Sequence, residues 1–127
     1  MMETALRYEL EQHIPELVGK IYPTNAPATA TKPYLVYTRI NTRGNKTYQG
    51  YVDGKALSYM FSIMAVKYPD MKSLTDKVEA LLKSMILTSI GATGSIYTQS
   101  ITINNISETY ESELGVNRGI IDFTVYY

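Results

Sequence analysis

The segment ALSYMFSIMAVK, residues 56–67, constrains the fold of this 127-residue chain most strongly. Its apolar residues occupy both sets of alternating positions, whereas a strand with one face in water alternates apolar with polar residues. The segment therefore predicts a strand in the middle of a sheet, with other parts of the protein covering both of its faces.

Three further segments predict strands. Residues 34–40, YLVYTRI, are β-branched and aromatic, which favours a strand, and another strand is expected over about residues 96–106. The last strand, residues 118–127, alternates apolar and polar residues, which is typical of a strand with one buried face. Its apolar positions are Ile121, Phe123, Val125 and Tyr127.

The N-terminal segment has the apolar spacing of an amphipathic helix, with one apolar residue every three or four positions. These residues are Leu6, Leu10, Ile14 and Leu17. Pro15 lacks a backbone N–H, so the helix is expected to end or kink near residues 13–14. The following PELVGKIYP predicts a short helical turn that closes at Gly19, and TNAPATATKP, residues 24–33, predicts an extended surface connector.

The segment DMKSLTDKVEALLKSMI predicts a second helix. Ser73 and Asp76 have the spacing of a capping box, in which side chains bond the free amides at a helix start. The residues that follow form one wide apolar face. They are Leu74, Val78, Leu81, Leu82, Met85 and Ile86. Gly91 and Gly94 are expected to end the helix.

Together these elements predict a single α+β domain over residues 1–127. Its antiparallel or mixed sheet has about four strands with two main helices packed on it, in the order helix-strand-strand-helix-strand-strand. Residues 41–55, NTRGNKTYQGYVDGK, contain three glycines and little aliphatic content, which predicts a long, flexible loop or hairpin tip. Loops of this length in compact domains are usually functional or disordered.

Composition excludes several classes of protein. No run approaches the roughly 18 apolar residues of a transmembrane helix, and MMETALRYELEQ lacks the apolar region of a signal peptide. The chain has no cysteine, so disulfides and thiolate chemistry are excluded. The formal net charge of zero argues against a general nucleic-acid binder, because such domains are usually basic.

The charges are nevertheless segregated along the chain. Residues 20–55 contain six basic residues and one acidic residue, whereas residues 1–19 and 108–127 each contain four acidic residues and one basic residue. Complementary potentials fix register and partner choice, so copies of such a chain could meet head to tail. The alternative is that solvated charges cluster without a partner.

No pattern of catalytic or ligand-binding residues is present. His13, the single histidine, has no nucleophile motif associated with it, and its place at the end of the first helix favours a structural or surface role. Glu108, Glu111 and Glu113 are the nearest approach to a metal-binding cluster, but carboxylates at this spacing are more often solvated. GATG at residues 91–94 lacks the lysine and the following helix of a phosphate-binding loop. We therefore expect no enzyme, no cofactor and no metal.

Tyrosine dominates the aromatic residues, with twelve Tyr, two Phe and no Trp. Tyrosine combines apolar contact area with a hydroxyl group and is enriched at protein interfaces. On the strands, Tyr34, Tyr37 and Tyr59 are each expected in the core. Tyr48 and Tyr51 lie in the predicted loop, where two large aromatic side chains indicate contact with a partner.

The order of these features resembles the phage tail completion family, whose small proteins (tail terminators, or tail-to-head joining proteins) cap the tail tube of long-tailed phages and their prophage relatives. The matching stretches are LVGKIYPTNAP after an N-terminal helix, KPYLVYTRI, a polar loop, a long apolar strand, SLTDKVEALLKSM, and the closing ETYESELGVNRGIIDFTVYY. The resemblance covers nearly the whole chain and rests on order and spacing, since none of the motifs is catalytic.

The resemblance implies an α+β subunit that assembles as a hexameric ring on the end of the tail tube. Such a ring stops tube polymerisation and offers its other face to the head-tail connector protein, while genome DNA passes through its lumen without sequence-specific contacts. It implies a location in the virion, at the head-tail junction, and in the bacterial host cytoplasm during assembly, with no membrane partner. No catalytic residue carries over from the family.

Two sets of residues become candidate contacts under this reading. Glu108, Tyr110, Glu111 and Glu113 are expected at a subunit edge, where they meet the basic surface of a neighbour. A second set is expected to line the lumen or contact the tube, with phosphate contacts blind to DNA sequence. It consists of Arg39, Arg43 and Lys46, with Tyr48 and Tyr51 packing on the partner.

Other readings remain open at this point. The residues 41–55 could form a solvated loop that orders only on assembly. Within the same class, the chain could be a head-completion or neck component of the connector. From another class, it could be a small cytoplasmic ligand-binding domain or enzyme with a pocket between sheet and helix, which a deep pocket with convergent polar groups would support.

Overall fold

The computed structural model describes residues 2–24, 32–47, 50–94, 96–112 and 115–127, with the backbone alone for residues 41–47 and 50–55. The described residues form two α-helices, a 3-10 turn at Pro15–Leu17 and seven strands. The elements are α1 (Met2–His13), β1 (Ile21–Pro23), β2 (Tyr34–Thr47), β3 (Gly50–Ala65), α2 (Tyr68–Ser84), β4 (Thr88–Ile90), β5 (Ile96–Thr98), β6 (Ser100–Glu111) and β7 (Val116–Tyr126).

Five strands form the main sheet, in the order β1-β2-β3-β7-β6. β1 runs parallel to β2, and every other neighbouring pair is antiparallel. β4 and β5 form a separate two-stranded sheet. The α+β prediction is confirmed, but the expected sheet of about four strands is wrong, because the described residues give five strands and a second small sheet.

Both helices pack on one face of the main sheet. Alternate residues of β3 and β7 point into this core and are at most 3% exposed. They are Leu57, Tyr59, Phe61, Ile63, Ile121, Phe123 and Val125. The Phe123 ring stacks on Tyr59 at 5.8 Å and meets Phe61 edge-on at 4.7 Å, so aromatic contacts join the two central strands. The predicted buried face of the last strand is confirmed.

The position of β3 agrees with the sequence only in part. β3 is the central strand, as predicted, with β2 and β7 on either side. Its second face carries Met60 and Met64 beside Ile120 of β7, and these side chains are half-buried and lie outside the core cluster that contains both helices. The expectation of cover on both faces is therefore wrong for the described residues, whose helices cover one face.

The first helix ends at the position that was predicted from Pro15. α1 stops at His13, and the chain continues through the 3-10 turn that begins at Pro15. The segment after that turn contains a strand that the sequence did not predict. β1 has only three residues and pairs with β2 through the register Ile21 to Leu35. A strand this short depends on its partner and leaves little local signal.

The second helix starts and ends earlier than predicted. It begins at Tyr68 with Lys67 as the N-cap residue, so Ser73 lies inside the helix and the capping-box prediction is wrong. Pro69 and Asp70 explain the earlier start, because proline and acidic residues both suit the first helical turn. The helix ends at Ser84, well before Gly91, because the following residues enter β4.

Residues 41–55, described above as a loop or hairpin tip, contain the ends of two long strands. β2 continues to Thr47 and β3 begins at Gly50, with these two residues opposite each other. The described residues of this segment therefore belong to a β-hairpin, and the flexibility of the segment stays a prediction. Among the described residues, no helix has the length and apolar character needed to cross a membrane.

Candidate protein-interaction surfaces

The hairpin formed by β2 and β3 extends beyond the rest of the main sheet. β3 pairs with β7 from Ala65 back to Ala56, which lies opposite Tyr126 near the end of β7. Residues 50–55 of β3 continue past this point and pair only with β2 among the described strands. We call the described part of residues 43–56 the projecting hairpin. Arg43 and Ala56 form its base, in the last row that β7 reaches, and the pairs after them lie beyond the sheet.

Most of the predicted tube-contact residues lie on the projecting hairpin. Arg43 pairs with Ala56 at its base, and Lys46 lies directly opposite Tyr51 near its tip. The structure thus brings Arg43, Lys46 and Tyr51 onto one element. Tyr48 lies outside the described residues.

Arg39 occupies a different environment, below the base of the projecting hairpin. Its Nη1 lies 3.6 Å from Glu3 Oε2 of α1, and the same carboxylate accepts a hydrogen bond from the buried hydroxyl of Tyr59. Burial, followed by the bond to Glu3, raises the pKa of Tyr59 far above its usual value. These three side chains connect α1 with β2 and β3, so Arg39 has a structural partner within the chain.

The acidic candidates lie at the opposite end of the sheet, where β6 turns into β7. Glu108 accepts hydrogen bonds from the Tyr68 hydroxyl at 2.9 and 3.1 Å, and Lys72 Nζ lies 3.7 Å from the same carboxylate. The bond to Glu108 raises the pKa of Tyr68 above its usual value. Tyr68 and Lys72 belong to α2, so Glu108 helps to connect the helix with the outermost strand.

Glu111 also has a partner within the chain. Its Oε1 lies 3.3 Å from Arg118 Nη1, and Arg118 Nη2 donates to Ser62 Oγ at 2.9 Å. Tyr110, between the two acidic residues, is 59% exposed, and Glu113 lies outside the described residues. The charges of Glu108 and Glu111 are thus partly compensated internally, which weakens the attraction they can offer to a neighbouring basic surface.

The outer side of β6 is a feature that the sequence analysis missed. β6 is the last strand of the main sheet, and among the described strands none pairs with its outer edge. Its first eight residues, SITINNIS, contain no charged residue and no proline. Edge strands usually carry charges, prolines or strong irregularities that prevent pairing with another chain. An uncharged β-branched run beside an acidic one is the sequence signal that could have revealed this edge.

The cavities offer little support for a ligand-binding role. The larger described one, about 220 Å³, lies between α1 and the β4–β5 turn and is lined by small or apolar side chains and the hydroxyls of Thr4, Tyr8 and Thr93. The smaller one, about 120 Å³, includes Glu16, whose pKa is lowered by a hydrogen bond from Lys77. Among the described residues, no group of three or more His, Cys, Asp or Glu side chains could hold a metal.

Comparison with known proteins gives a family and a fold. The model of the family described as tail completion protein gp17 matches residues 6–127. A protein chain from the virion of a native gene transfer agent (GTA) particle has a similar structure, with a TM-score of 0.71, 12% identity and coverage of 96% of this chain and 90% of that chain. At this identity the likeness shows a shared fold. No curated protein sequence matches.

The family match begins within α1 at residue 6 and extends over all described strands of both sheets and α2, so it includes the projecting hairpin and both ends of the main sheet. It also confirms the resemblance inferred from the order of the sequence segments. The chain belongs to the phage tail completion protein family.

Proposed function

We propose that this protein caps the tail tube, ends tube polymerisation and forms part of the head-tail joining interface as a ring. The observation that carries the proposal is the family match over residues 6–127. The fold shared with a chain of a gene transfer agent virion supports a structural role in a phage-like particle. A structural role of this kind requires surfaces and not a catalytic centre, so we propose that the protein is not an enzyme.

The difference between the two outer strands of the main sheet supports assembly into a ring. Its two outer strands differ in length and charge, with the three-residue β1 at one side and the twelve-residue β6 at the other. A contact between two different edges is heterologous, and repeated heterologous contacts close into a ring when the rotation permits. The family implies six copies in that ring.

The two ends of the sheet provide candidate contacts with the other components. We assign Arg43, Lys46 and Tyr51 of the projecting hairpin to the tail tube or the lumen, with Arg39 below the hairpin base. Tyr48, which lies outside the described residues, is proposed to contact the same partner. Contacts of these cations with genome DNA would be to phosphates and blind to sequence. The end that carries Glu108, Tyr110 and Glu111 is assigned to the subunit interface, together with Glu113 from outside the described residues, and the head-tail connector protein is a further proposed partner.

The location follows from these partners. The assembled protein is proposed at the head-tail junction of the virion, and the free subunit in the bacterial host cytoplasm during assembly. A prophage origin is compatible with both. No membrane partner is proposed.

Adding the purified protein to polymerising tail tube protein tests the capping function. Electron microscopy of gold-labelled protein should show label at one end of each tube and a shorter mean tube length than without the protein. Bovine serum albumin at the same concentration is the control for non-specific effects. Unchanged tube lengths with label on purified head connectors would replace this proposal with the neck-component alternative, and label on neither structure would overturn both.

A further inference from the structure

The outer edge of β6 is long, and neither a charge nor a proline protects it before the bulge at Asn104. On one side, β6 pairs with β7 from Ser100 to Glu111, with Asn104 as the bulged residue. On its other side, none of the described strands pairs with it. Residues 100–107 carry no charge, and Thr102 is exposed. Unpaired N–H and C=O groups along such an edge form a template for another strand.

A second open edge lies on β2. β1 pairs with residues 35–37 of β2, and Thr24 N donates to Tyr37 O at 2.7 Å where that pairing ends. Beyond this point, residues 38–47 of β2 have β3 on one side, and no other described strand pairs with them. This edge is basic, since it contains Arg39, Arg43 and Lys46.

The two open edges share the same rows of paired residues across the main sheet. The register places Asn41 opposite Ser58, Ser58 opposite Thr124, and Thr124 opposite Thr102. It places Arg39, Tyr59, Phe123 and Ile103 in the next row. A rotation about an axis along the strands would therefore bring residues 101–103 of one copy beside residues 39–42 of another, without a shift along the axis.

The strand directions also agree. Three successive antiparallel pairings separate β2 from β6, so these two strands run in opposite directions. Copies related by that rotation would therefore pair β6 with β2 in the antiparallel sense, which is the more stable one per residue.

Register shifts occur in both strands near these shared rows. β2 contains an extra residue at Ile40 and β6 an extra residue at Asn104, on either side of the row that contains Tyr59. Such bulges bend a strand and often mark the place where pairing changes. On β2 the bulge at Ile40 closely follows Tyr37, the last residue that pairs with β1. β2 and β6 therefore both bend near the row where the open edge of β2 begins.

We propose that residues 100–103 of β6 form antiparallel backbone pairs with residues 39–43 of β2 in a second copy of this chain. Repeated around the assembly, this contact joins the main sheets of all subunits into one closed sheet. The inference rests on the proposed ring and specifies how its subunits meet. The uncharged segment of β6 places no cation against Arg39 and Arg43, so charge does not oppose the pairing.

Disulfide cross-linking tests the contact directly, because the natural chain has no cysteine. We choose Asn41→Cys and Thr102→Cys in one chain, since these positions share a row. Within one copy they are three strand spacings apart, about 14 Å, whereas a disulfide requires Cα atoms within about 7 Å. Any disulfide between them therefore joins two copies.

The double variant should give a ladder of covalent oligomers on non-reducing gels that disappears with reductant. A mixture of the two single variants should give covalent dimers alone. Asn41→Cys with Thr109→Cys is the matched control, because Thr109 is also an exposed threonine of β6 and lies about 23 Å further along the strand. This pair should give at least tenfold less cross-linked product.

Light scattering on the reduced variants separates this inference from the proposed function. Variants that form rings but cross-link no better than the control would overturn the strand pairing and leave the ring intact. Cross-linked dimers from Thr102→Cys alone would show a symmetric β6–β6 contact and also overturn it. Failure of the wild-type protein to assemble, with or without tubes, would overturn both proposals.

Discussion

The two long hairpins of the main sheet differ in how the rest of the molecule supports them. β7 of the β6–β7 hairpin has β3 along its other side, and Glu108 and Glu111 contact α2 and Arg118. The projecting hairpin of β2 and β3 runs past the end of β7, and beyond its base at Arg43 and Ala56 it has no further strand neighbour among the described residues. One hairpin is thus built into the domain, whereas the other extends from it.

This difference bears on whether the segregated charges attract a neighbouring copy or stabilise their own chain. The sequence suggested that acidic and basic segments of neighbouring copies attract each other. In the structure the acidic residues Glu108 and Glu111 have partners in their own chain, so they stabilise the subunit. These internal contacts leave less charge at that end for a neighbouring copy, so we expect charge to contribute less to the proposed subunit interface than backbone pairing at the open edges.

The largest loss of stability is expected where β7 meets the core. Phe123 is fully buried between Tyr59 and Phe61, so Phe123→Ala would leave a cavity and remove two ring contacts. We expect the free energy of unfolding to fall by about 3–5 kcal/mol, as measured by urea denaturation. A loss below about 1 kcal/mol would show that the aromatic cluster does not support the built-in hairpin.

A smaller loss is expected at the base of the projecting hairpin. Tyr59→Phe removes the hydrogen bond to Glu3, and a bond to a charged group contributes about 1.5–3 kcal/mol. The pKa of Tyr59 is raised on folding, so wild-type stability is complete below the unfolded pKa of about 10 and decreases as the pH rises above it.

Urea denaturation between pH 9 and pH 11 checks the sign of this effect. The variant should lose less stability than the wild type over this interval, by up to about 1.4 kcal/mol per pH unit. Tyr97→Phe is the control, because Tyr97 is half-exposed and should keep the wild-type decrease. Equal alkaline losses in all three proteins would contradict the Tyr59–Glu3 contact.

A loss of stability of similar or slightly smaller size is expected where α2 packs on β7. A Cβ atom at Gly119 would lie 2.3 Å from Thr75 Oγ1 and 2.9 Å from Met71 Sδ. Gly119→Ala should therefore lower the free energy of unfolding by about 1–3 kcal/mol. The double variant Gly119→Ala/Thr75→Ala should recover part of that loss, and a larger loss in the double variant would show that the crowding lies elsewhere.

The smallest effect on stability is expected in the projecting hairpin itself. Replacing residues 44–55 with the two-residue turn Asn-Gly would join Arg43 to its cross-strand partner Ala56. We expect the free energy of unfolding to change by less than about 1 kcal/mol, because the removed strands pair only with each other among the described elements. Binding to tail tubes, measured by co-sedimentation, should be lost, and unchanged binding would remove the hairpin from the proposed interface.

The sequence predicted those elements whose signals are local. Pro15 ends α1, the apolar face of α2 is buried, and the alternation of β7 gives its buried face. The start of α2 was wrong because Pro69 and Asp70 compete with the capping-box spacing of Ser73. The strands within residues 41–55 were not recognised, since their glycines and polar residues disfavour strands and cross-strand pairing overrides that preference.

The candidate surfaces were less predictable because they depend on tertiary neighbours. Glu108 was expected at a subunit edge, which stays a prediction, and its partners within the chain, Tyr68 and Lys72, lie on another element and 36 or more positions away. The open edge of β6 follows from strand order, which the spacing of residues does not determine. Only the absence of charge over residues 100–107 pointed towards it.

The mass of the protein in solution, measured by light scattering with and without tail tubes, tests most directly whether these surfaces join subunits. We expect particles of six times the 14.3 kDa subunit mass, either in the free protein at high concentration or after release from tube ends. A mass of 14.3 kDa at every concentration and salt, together with no association with tubes, would contradict the account.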